Sequence, residues 1–219
     1  MTLRKIPQSL CDSSLIKGAN LIAPFNKGGT SNGVGESSIL AVDTSSPQGL
    51  VALKTKEGQI LEASHFKPLE HNQFILQQVA SLLNQAHLSL HDIDYFAASV
   101  GPGSFVGTRL AVATTQGLAF GTTKPVVAIS HLALIALAAK LDEVVLDAKM
   151  QGCYHFSRGQ ERFERFTESP PSFTAIPLFT GHDLITLAEI QIAAGAIFSD
   201  PAALQPTYLH DESNWKKLS

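Results

Sequence analysis

The sequence predicts an α/β protein built on a mixed β-sheet with helices laid against its faces. Two observations carry most of this. The ordered part opens with three short apolar runs separated by turn signals, and from about Leu69 strand-like runs alternate with stretches of three- and four-residue periodicity. The third observation is bulk: 219 residues, 44% of them hydrophobic, with a mean hydropathy of +0.11, supply a core for one domain or for two small lobes.

Residues 1–38 stand apart. They are rich in Ser, Gly, Asn and Pro, and Gly28-Gly29-Thr30-Ser31-Asn32-Gly33-Val34-Gly35 approaches low complexity, so the segment reads as a flexible N-terminal extension. Order begins at Ile39-Leu40-Ala41-Val42-Asp43, an apolar run ending in an acid. Leu50–Leu53 and Ile60–Phe66 follow as strands, with turns by composition at Thr44–Gly49 and Lys56–Gln59. Leu69–Ala86 is helical, with Ile75, Leu76, Val79, Leu82, Leu83 and Ala86 on one face. Tyr95–Val100 is a strand that runs into the glycine-rich loop Gly101-Pro102-Gly103-Ser104-Phe105-Val106-Gly107. A helix over Thr108–Phe120, rich in small residues, a strand over Pro125–Ser130 and a helix over His131–Lys140 complete the pattern.

The order β-β-β-α-β-α-β-α gives a mixed sheet with helices on its faces. It is one half of the actin, Hsp70 and sugar-kinase architecture, the actin-like/ASKHA (ribonuclease H-like) fold class. Residues 39–140 form this first lobe. Residues 141–219 form a short second lobe and C-terminal segment, with strands at Val144–Ala148, Gly152–Phe156 and Glu161–Phe166, then one helix near Asp183–Ala194.

The net charge is −3 with no basic stripe, which disfavours direct nucleic-acid binding by the isolated chain because phosphate contacts dominate such affinity. Cys11 and Cys153 lack CxxC spacing and read as free thiols of a reducing compartment. No apolar run reaches membrane-span length, and a cytoplasmic location is expected.

Four residues are candidates for binding a nucleotide cofactor: Asp43, Gly101, Gly103 and Ser104. Glycines between a strand and a helix let backbone approach a ligand, and a helix N-terminus presents N–H groups that suit an anion. Asp43, at the end of the first strand, is placed to hold a cation through water. The competing readings are a tight structural turn for the loop and an aspartate that caps its own turn. Pro47 removes one N–H donor from that turn and favours the second reading. The HxxxH pair His87 and His91 has no third ligand, so the histidines read as surface residues and no metal site is assigned. No catalytic residue is assigned, because Ser104 lies outside any GxSxG elbow. Arg158, Glu161, Arg162, Glu164, Arg165 and Glu168 read as a solvated edge.

These pieces resemble a family. Ile39-Leu40-Ala41-Val42-Asp43-Thr44-Ser45, His71-Asn72-Gln73 opening a helix, GPGSFVGTR followed by Gln116-Gly117-Leu118-Ala119, Val144–Met150, and Pro206-Thr207-Tyr208-Leu209 with Trp215-Lys216-Lys217 are together similar to the TsaB (YeaZ) family, in the glycoprotease-like branch of the ASKHA fold. The resemblance implies a non-catalytic subunit that binds and stabilises TsaD. TsaD transfers a threonylcarbamoyl group to the tRNA adenosine beside the anticodon (t6A). TsaE is the ATPase partner, and TsaC (or Sua5) makes the activated intermediate.

It also implies tRNA contact only within the complex, no required cofactor, and ATP or ADP, if any, at a partner interface. TsaD carries metal-binding histidines on the helix after the third strand. Here His71 has no second His at i+4, so the resemblance implies no metal. The family's first-lobe helices form its dimer interface, which points to Ile75, Val79, Leu82, Ala113 and Gly117 and leaves homodimer and heterodimer both open. Val106 stands where the family usually has Thr, Lys149 where it usually has Arg, and the second lobe is short. The alternative is an ASKHA-type nucleotide hydrolase or glycoprotease-like peptidase active on its own.

Overall fold

The computed structural model describes residues 35–67, 71–149, 151–167 and 169–209. The extension read at residues 1–38 falls almost wholly outside them, as do Glu168, Cys11 and Trp215-Lys216-Lys217.

The predicted meander is present as β1 (Ile39–Asp43), β2 (Gly49–Lys54) and β3 (Ile60–His65), paired antiparallel in sequence order. Then come α1 (His71–Ala86), β4 (Tyr95–Ser99), α2 (Phe105–Thr122), β5 (Val126–Ile129) and α3 (His131–Ala139). β4 lies parallel to β1, and β5 parallel to β4, so the sheet is mixed. Strands β1 and β2 are buried at every position, as expected of strands covered on both faces.

Alternation along the strands sorts the apolar residues into two cores. Leu40, Val42, Val51, Leu53, Phe96 and Ala98 meet Ile75, Val79 and Leu82 of α1 and Ala111 and Val112 of α2. Ile39, Ala41, Leu50, Ala52, Ala97 and Val127 face the opposite way, onto α3 and a fourth helix.

That helix corrects the lobe boundary expected at residue 141. Past the boundary, β6 (Glu143–Lys149), β7 (Gly152–Ser157) and β8 (Gln160–Arg165) form a separate antiparallel sheet in sequence order. But α4 (Gly181–Ala193) packs back on the first sheet, and β9 (Ile197–Phe198) adds to its edge beside β5. The first sheet therefore runs β3-β2-β1-β4-β5-β9. The physical reason lies in α4, where Leu184, Ile185, Leu187, Ala188, Ile190 and Ile192 are all buried. So broad an apolar surface needs a large sheet to cover it, and three short strands do not provide one.

The return is secured by side chains the sequence does not flag. Gln48 donates from Nε2 to the Phe179 carbonyl at 2.9 Å and accepts the Phe179 N–H on Oε1 at 2.9 Å. Both groups are buried, so Gln48→Ala leaves a donor and an acceptor unsatisfied. We expect a loss of about 2–4 kcal/mol, read as a lower urea midpoint with unchanged m value. Thr180 and Asp183 then form a reciprocal capping box that starts α4. No described helix is long and apolar enough to cross a membrane.

Candidate functional site

The glycine loop sits where β4 ends and α2 begins, directly over the turn that follows β1. Its glycines answer to that turn. A Cβ on Gly103 would lie 2.6 Å from the Ser45 carbonyl oxygen, and one on Gly107 would lie 1.8 Å from the Thr44 carbonyl oxygen. Gly101 has φ of +93°, a conformation that favours glycine. Hydrogen bonds hold the two segments together. Ser104 N–H donates to the Ser45 carbonyl at 2.8 Å, and Thr44 Oγ1 donates to the Gly107 carbonyl at 2.6 Å. Ser45 Oγ lies 3.1 Å from Ser99 Oγ, and Thr108 Oγ1 donates to Ser45 Oγ at 3.3 Å.

Of the four nucleotide candidates, Gly101 and Asp43 are buried, and Gly103 and Ser104 are exposed. The Ser104 hydroxyl accepts the Gly107 N–H at 3.2 Å, so a group of the chain's own caps α2.

Asp43 takes the self-capping role that competed with cation binding: its Oδ1 accepts the Ser45 N–H at 3.2 Å. The same oxygen lies 3.4 Å from His131 Nδ1. That separation is too long for a well-formed hydrogen bond and leaves a close polar contact. Both side chains are essentially inaccessible, at 0% and 1% exposure, which corrects the reading of Asp43 as a residue reaching outward to a cation. Burial works to raise the Asp43 pKa. The proximity of His131, with contacts to Ser99 and the Ser45 N–H, outweighs it and holds the carboxyl below its ordinary value. Asp43 Oδ2 and His131 Nε2 are buried without a hydrogen-bond partner among the described residues, and the Phe179 ring meets the imidazole edge-on at 5.5 Å.

His131 corrects the reading of the histidines as surface residues. It opens α3, whose N-cap Ser130 accepts the Ala133 N–H at 3.1 Å and donates its hydroxyl to Glu161 of β8. Glu161 corrects the solvated edge. Glu161 and Phe163 share the inward face of β8, whereas Arg162 and Glu164 pair with each other on the outward face. Burial raises the Glu161 carboxyl to about 7, against the opposing pull of Ser130 and His131. The alternation Glu161–Phe163 within a strand is the sequence signal that pointed inward.

The expected partner face divides. Ile75, Val79 and Leu82 are 1–3% exposed because they fill the chain's own core, so they are corrected as partner-facing residues. The outward side of α1 carries Leu76 instead, 59% exposed. Ala113 and Gly117 are exposed on α2, with nothing within 4 Å of a Cβ on Gly117. Val106, Phe120 and Gly121 continue this apolar strip. At its N-terminal end the Arg109 guanidinium stacks 3.3 Å from the centre of the Phe105 ring and 5.2 Å from that of Tyr208. Val106, where the family usually has Thr, points into solvent at 72% exposure.

Comparison with known proteins fits this geometry. The family model described as TsaD, tRNA N6-adenosine threonylcarbamoyltransferase, matches residues 68–174. The tRNA threonylcarbamoyladenosine biosynthesis protein TsaB of Haemophilus influenzae is 27% identical, over 82% of this chain and 96% of that protein. The chain is thus similar to TsaB proteins over most of its length. The Escherichia coli TsaB is 39% identical over 46% of this chain and 43% of its own length. Among solved structures, a Pseudomonas aeruginosa protein with similarity to peptidase YEAZ superposes with a TM-score of 0.67 at 29% identity, covering 80% of this chain and all of that one. The superposition extends over the mixed sheet flanked by helices described above. Among its described residues no three His, Cys, Asp or Glu side chains converge to hold a metal.

Proposed function

We infer that this chain is a non-catalytic TsaB-like subunit that binds and stabilises a TsaD-type threonylcarbamoyltransferase in t6A modification of tRNA. The observation that carries the reading is the outward strip of α2. Val106, Ala113, Gly117, Phe120 and Gly121 expose an apolar stripe whose small residues admit close backbone approach. Arg109, stacked between two aromatic rings, supplies the kind of anchor that concentrates binding energy at protein interfaces.

The buried Asp43–His131 pair favours this reading over independent hydrolysis, since neither side chain meets solvent. In the same reading TsaE and TsaC act in the same system, tRNA is met only within the complex, any ATP or ADP sits at a partner interface, and the setting is cytoplasmic. A homodimer through the same strip is the state that TsaD would displace.

Two measurements test it. In reconstituted t6A synthesis with TsaD, TsaC, TsaE and tRNA, omission of this chain abolishes product; full synthesis without it sinks the supporting role, and ATP turnover or peptide cleavage by the chain alone favours the enzyme reading. Ala113→Glu weakens TsaD capture by roughly 30-fold, about 2 kcal/mol, while unfolding of the isolated chain shifts by less than about 0.5 kcal/mol. Undiminished capture removes α2 from the interface.

A further inference from the structure

We propose that β8 is a self-recognition edge: two copies of this chain pair their β8 strands antiparallel about a two-fold axis at Phe163, joining their three-stranded sheets into one.

Among the described residues β8 is an end strand, in the order β6-β7-β8. Its backbone groups fall into two sets. The hairpin closes on Ser157 and Gln160 through Arg158 and Gly159, both at positive φ, a two-residue turn whose flanking residues exchange hydrogen bonds. Just past the strand, Phe166 N–H donates to the Gln151 carbonyl at 3.1 Å. Even-numbered residues of β8 therefore turn their N–H and C=O groups to β7, whereas Glu161 and Arg165 turn theirs to the outer edge, with Phe163 between them.

The charges on that edge specify what it recognises. Glu161-Arg162-Phe163-Glu164-Arg165 is antisymmetric in charge about Phe163. Laid antiparallel on itself about that residue, it sets Glu161 opposite Arg165, Arg162 opposite Glu164 and Phe163 opposite Phe163. Opposite charges directly across an antiparallel pair attract. The same register brings the outward backbone groups of Glu161 against those of Arg165. Neighbouring registers fail. A slip of two residues, which keeps the backbone pairing, sets Arg162 against Arg162 or Glu164 against Glu164. A slip of one sets Glu161 against Glu164 or Arg162 against Arg165. A parallel alignment in register sets every charge against its like. Charges on an edge strand ordinarily repel a second strand. Here their order admits one, in a single register.

The side chains are placed for this pairing. Arg162, Glu164 and Arg165 are exposed, and Arg162 and Glu164 already pair along the outward face. Phe163 is fixed at the centre, its ring 6.1 Å from that of Tyr154 and seated where a Cβ on Gly152 would stand. Glu161, which accepts the Ser130 hydroxyl, gains a counter-charge in Arg165 of the partner subunit. Ser130 starts α3, on the face of the six-stranded sheet opposite α2, so this edge is separate from the α2 strip and does not depend on what that strip binds.

Analytical ultracentrifugation of the full chain tests the pairing, with Ala113→Glu carried throughout so that the α2 strip contributes nothing. We expect a reversible dimer. Arg162→Glu brings carboxylates together at both symmetric positions, and Glu164→Arg does the same with guanidinium groups, so each alone weakens the dimer about tenfold or more. An equimolar mixture of the two variants restores it, because every pair across the two-fold is again opposite in charge. Within each chain of that mixture like charges still stand side by side, so a merely structural role for Arg162 and Glu164 gives no rescue. Amide exchange of the same chain without the β8 changes gives a second reading: the Glu161 and Arg165 amides gain protection as concentration rises, whereas the Arg162 amide, bonded within the hairpin, holds steady. A monomer at all concentrations, single variants that associate as tightly as the parent, a mixture as weak as its components, or exchange at Glu161 and Arg165 that ignores concentration each overturns the proposal.

Discussion

Gly107→Ala unfolds this protein at markedly lower denaturant, although the same change in most helices is stabilising. Alanine exceeds glycine in helix propensity by about 1 kcal/mol, so the local effect of the substitution is favourable. At Gly107 that gain is overwhelmed. The added methyl would lie 1.8 Å from the Thr44 carbonyl oxygen and 2.9 Å from its carbon, and both are backbone atoms at the end of β1. Neither can turn aside as a long side chain would, so α2 must lift from the turn. Lifting breaks the 2.6 Å hydrogen bond from Thr44 Oγ1 to the Gly107 carbonyl and strains the 2.8 Å bond from Ser104 N–H to the Ser45 carbonyl. We expect a net loss of about 3 kcal/mol or more. Gly117→Ala is the matched control in the same helix. Nothing lies within 4 Å of its Cβ position, so it should gain roughly 0.5–1 kcal/mol. Urea unfolding of the pair decides the point: equal and favourable shifts would show that the loop does not press on the turn.

Asp43→Ala is the second large effect. Removing the carboxylate leaves the His131 imidazole buried beside a void and strips the Ser45 N–H of its acceptor. Each buried polar group left without its partner costs about 1–3 kcal/mol, so the expected loss is about 2–4 kcal/mol. Asp43→Asn separates charge from shape, since it retains an oxygen for Ser45, and should lose less than the alanine variant.

The pH dependence has a definite sign. The Asp43 carboxyl is held below its ordinary value of 3.8, so the stability it contributes is present above that value and is lost as pH falls through the folded-state value. Unfolding curves taken from pH 6 down to pH 3 should therefore be steeper in the unmodified chain than in Asp43→Asn. Parallel curves would mean that the pair with His131 contributes nothing. Glu161 runs with the opposite sign, weakening the fold as pH rises, so the two groups favour an intermediate, mildly acidic range.

Much of the fold is legible along the chain. Strand β1 ends at Asp43 where the apolar run meets an acid and a Thr-Ser-Ser-Pro turn, and α1 carries an apolar face of Ile75, Val79 and Leu82. Helix α2 starts three residues earlier than its small-residue pattern suggests, because Ser104 caps it. What escaped was non-local. β9 is two residues long, too short for any period to register. The periodicity near Asp183–Ala194 gives a helix but not what it packs on, and there the chain folds back as α4, fastened by Gln48 from 131 positions away. In the candidate site, the loop and Asp43 were visible, whereas Ser130, His131 and Glu161 were not. A serine before a helix reads as an ordinary cap, and a glutamate among arginines reads as surface.

The α1 residues show where a sequence pattern stops. Periodicity identified Ile75, Val79 and Leu82 as one face without saying what that face would meet, and the chain's own sheet occupies it. By itself the sequence determined the identity and order of most elements, the turn chemistry, the place of the glycine loop and the family resemblance. These follow from short-range preferences of residues that are neighbours along the chain. Only the tertiary structure decided that Gly107 is required by the Thr44 carbonyl 63 positions earlier, that Asp43 is spent on His131, and that Glu161 turns inward to Ser130 across 31 positions. Those outcomes depend on which surfaces come together when the sheets close, and burial and charge are set only there.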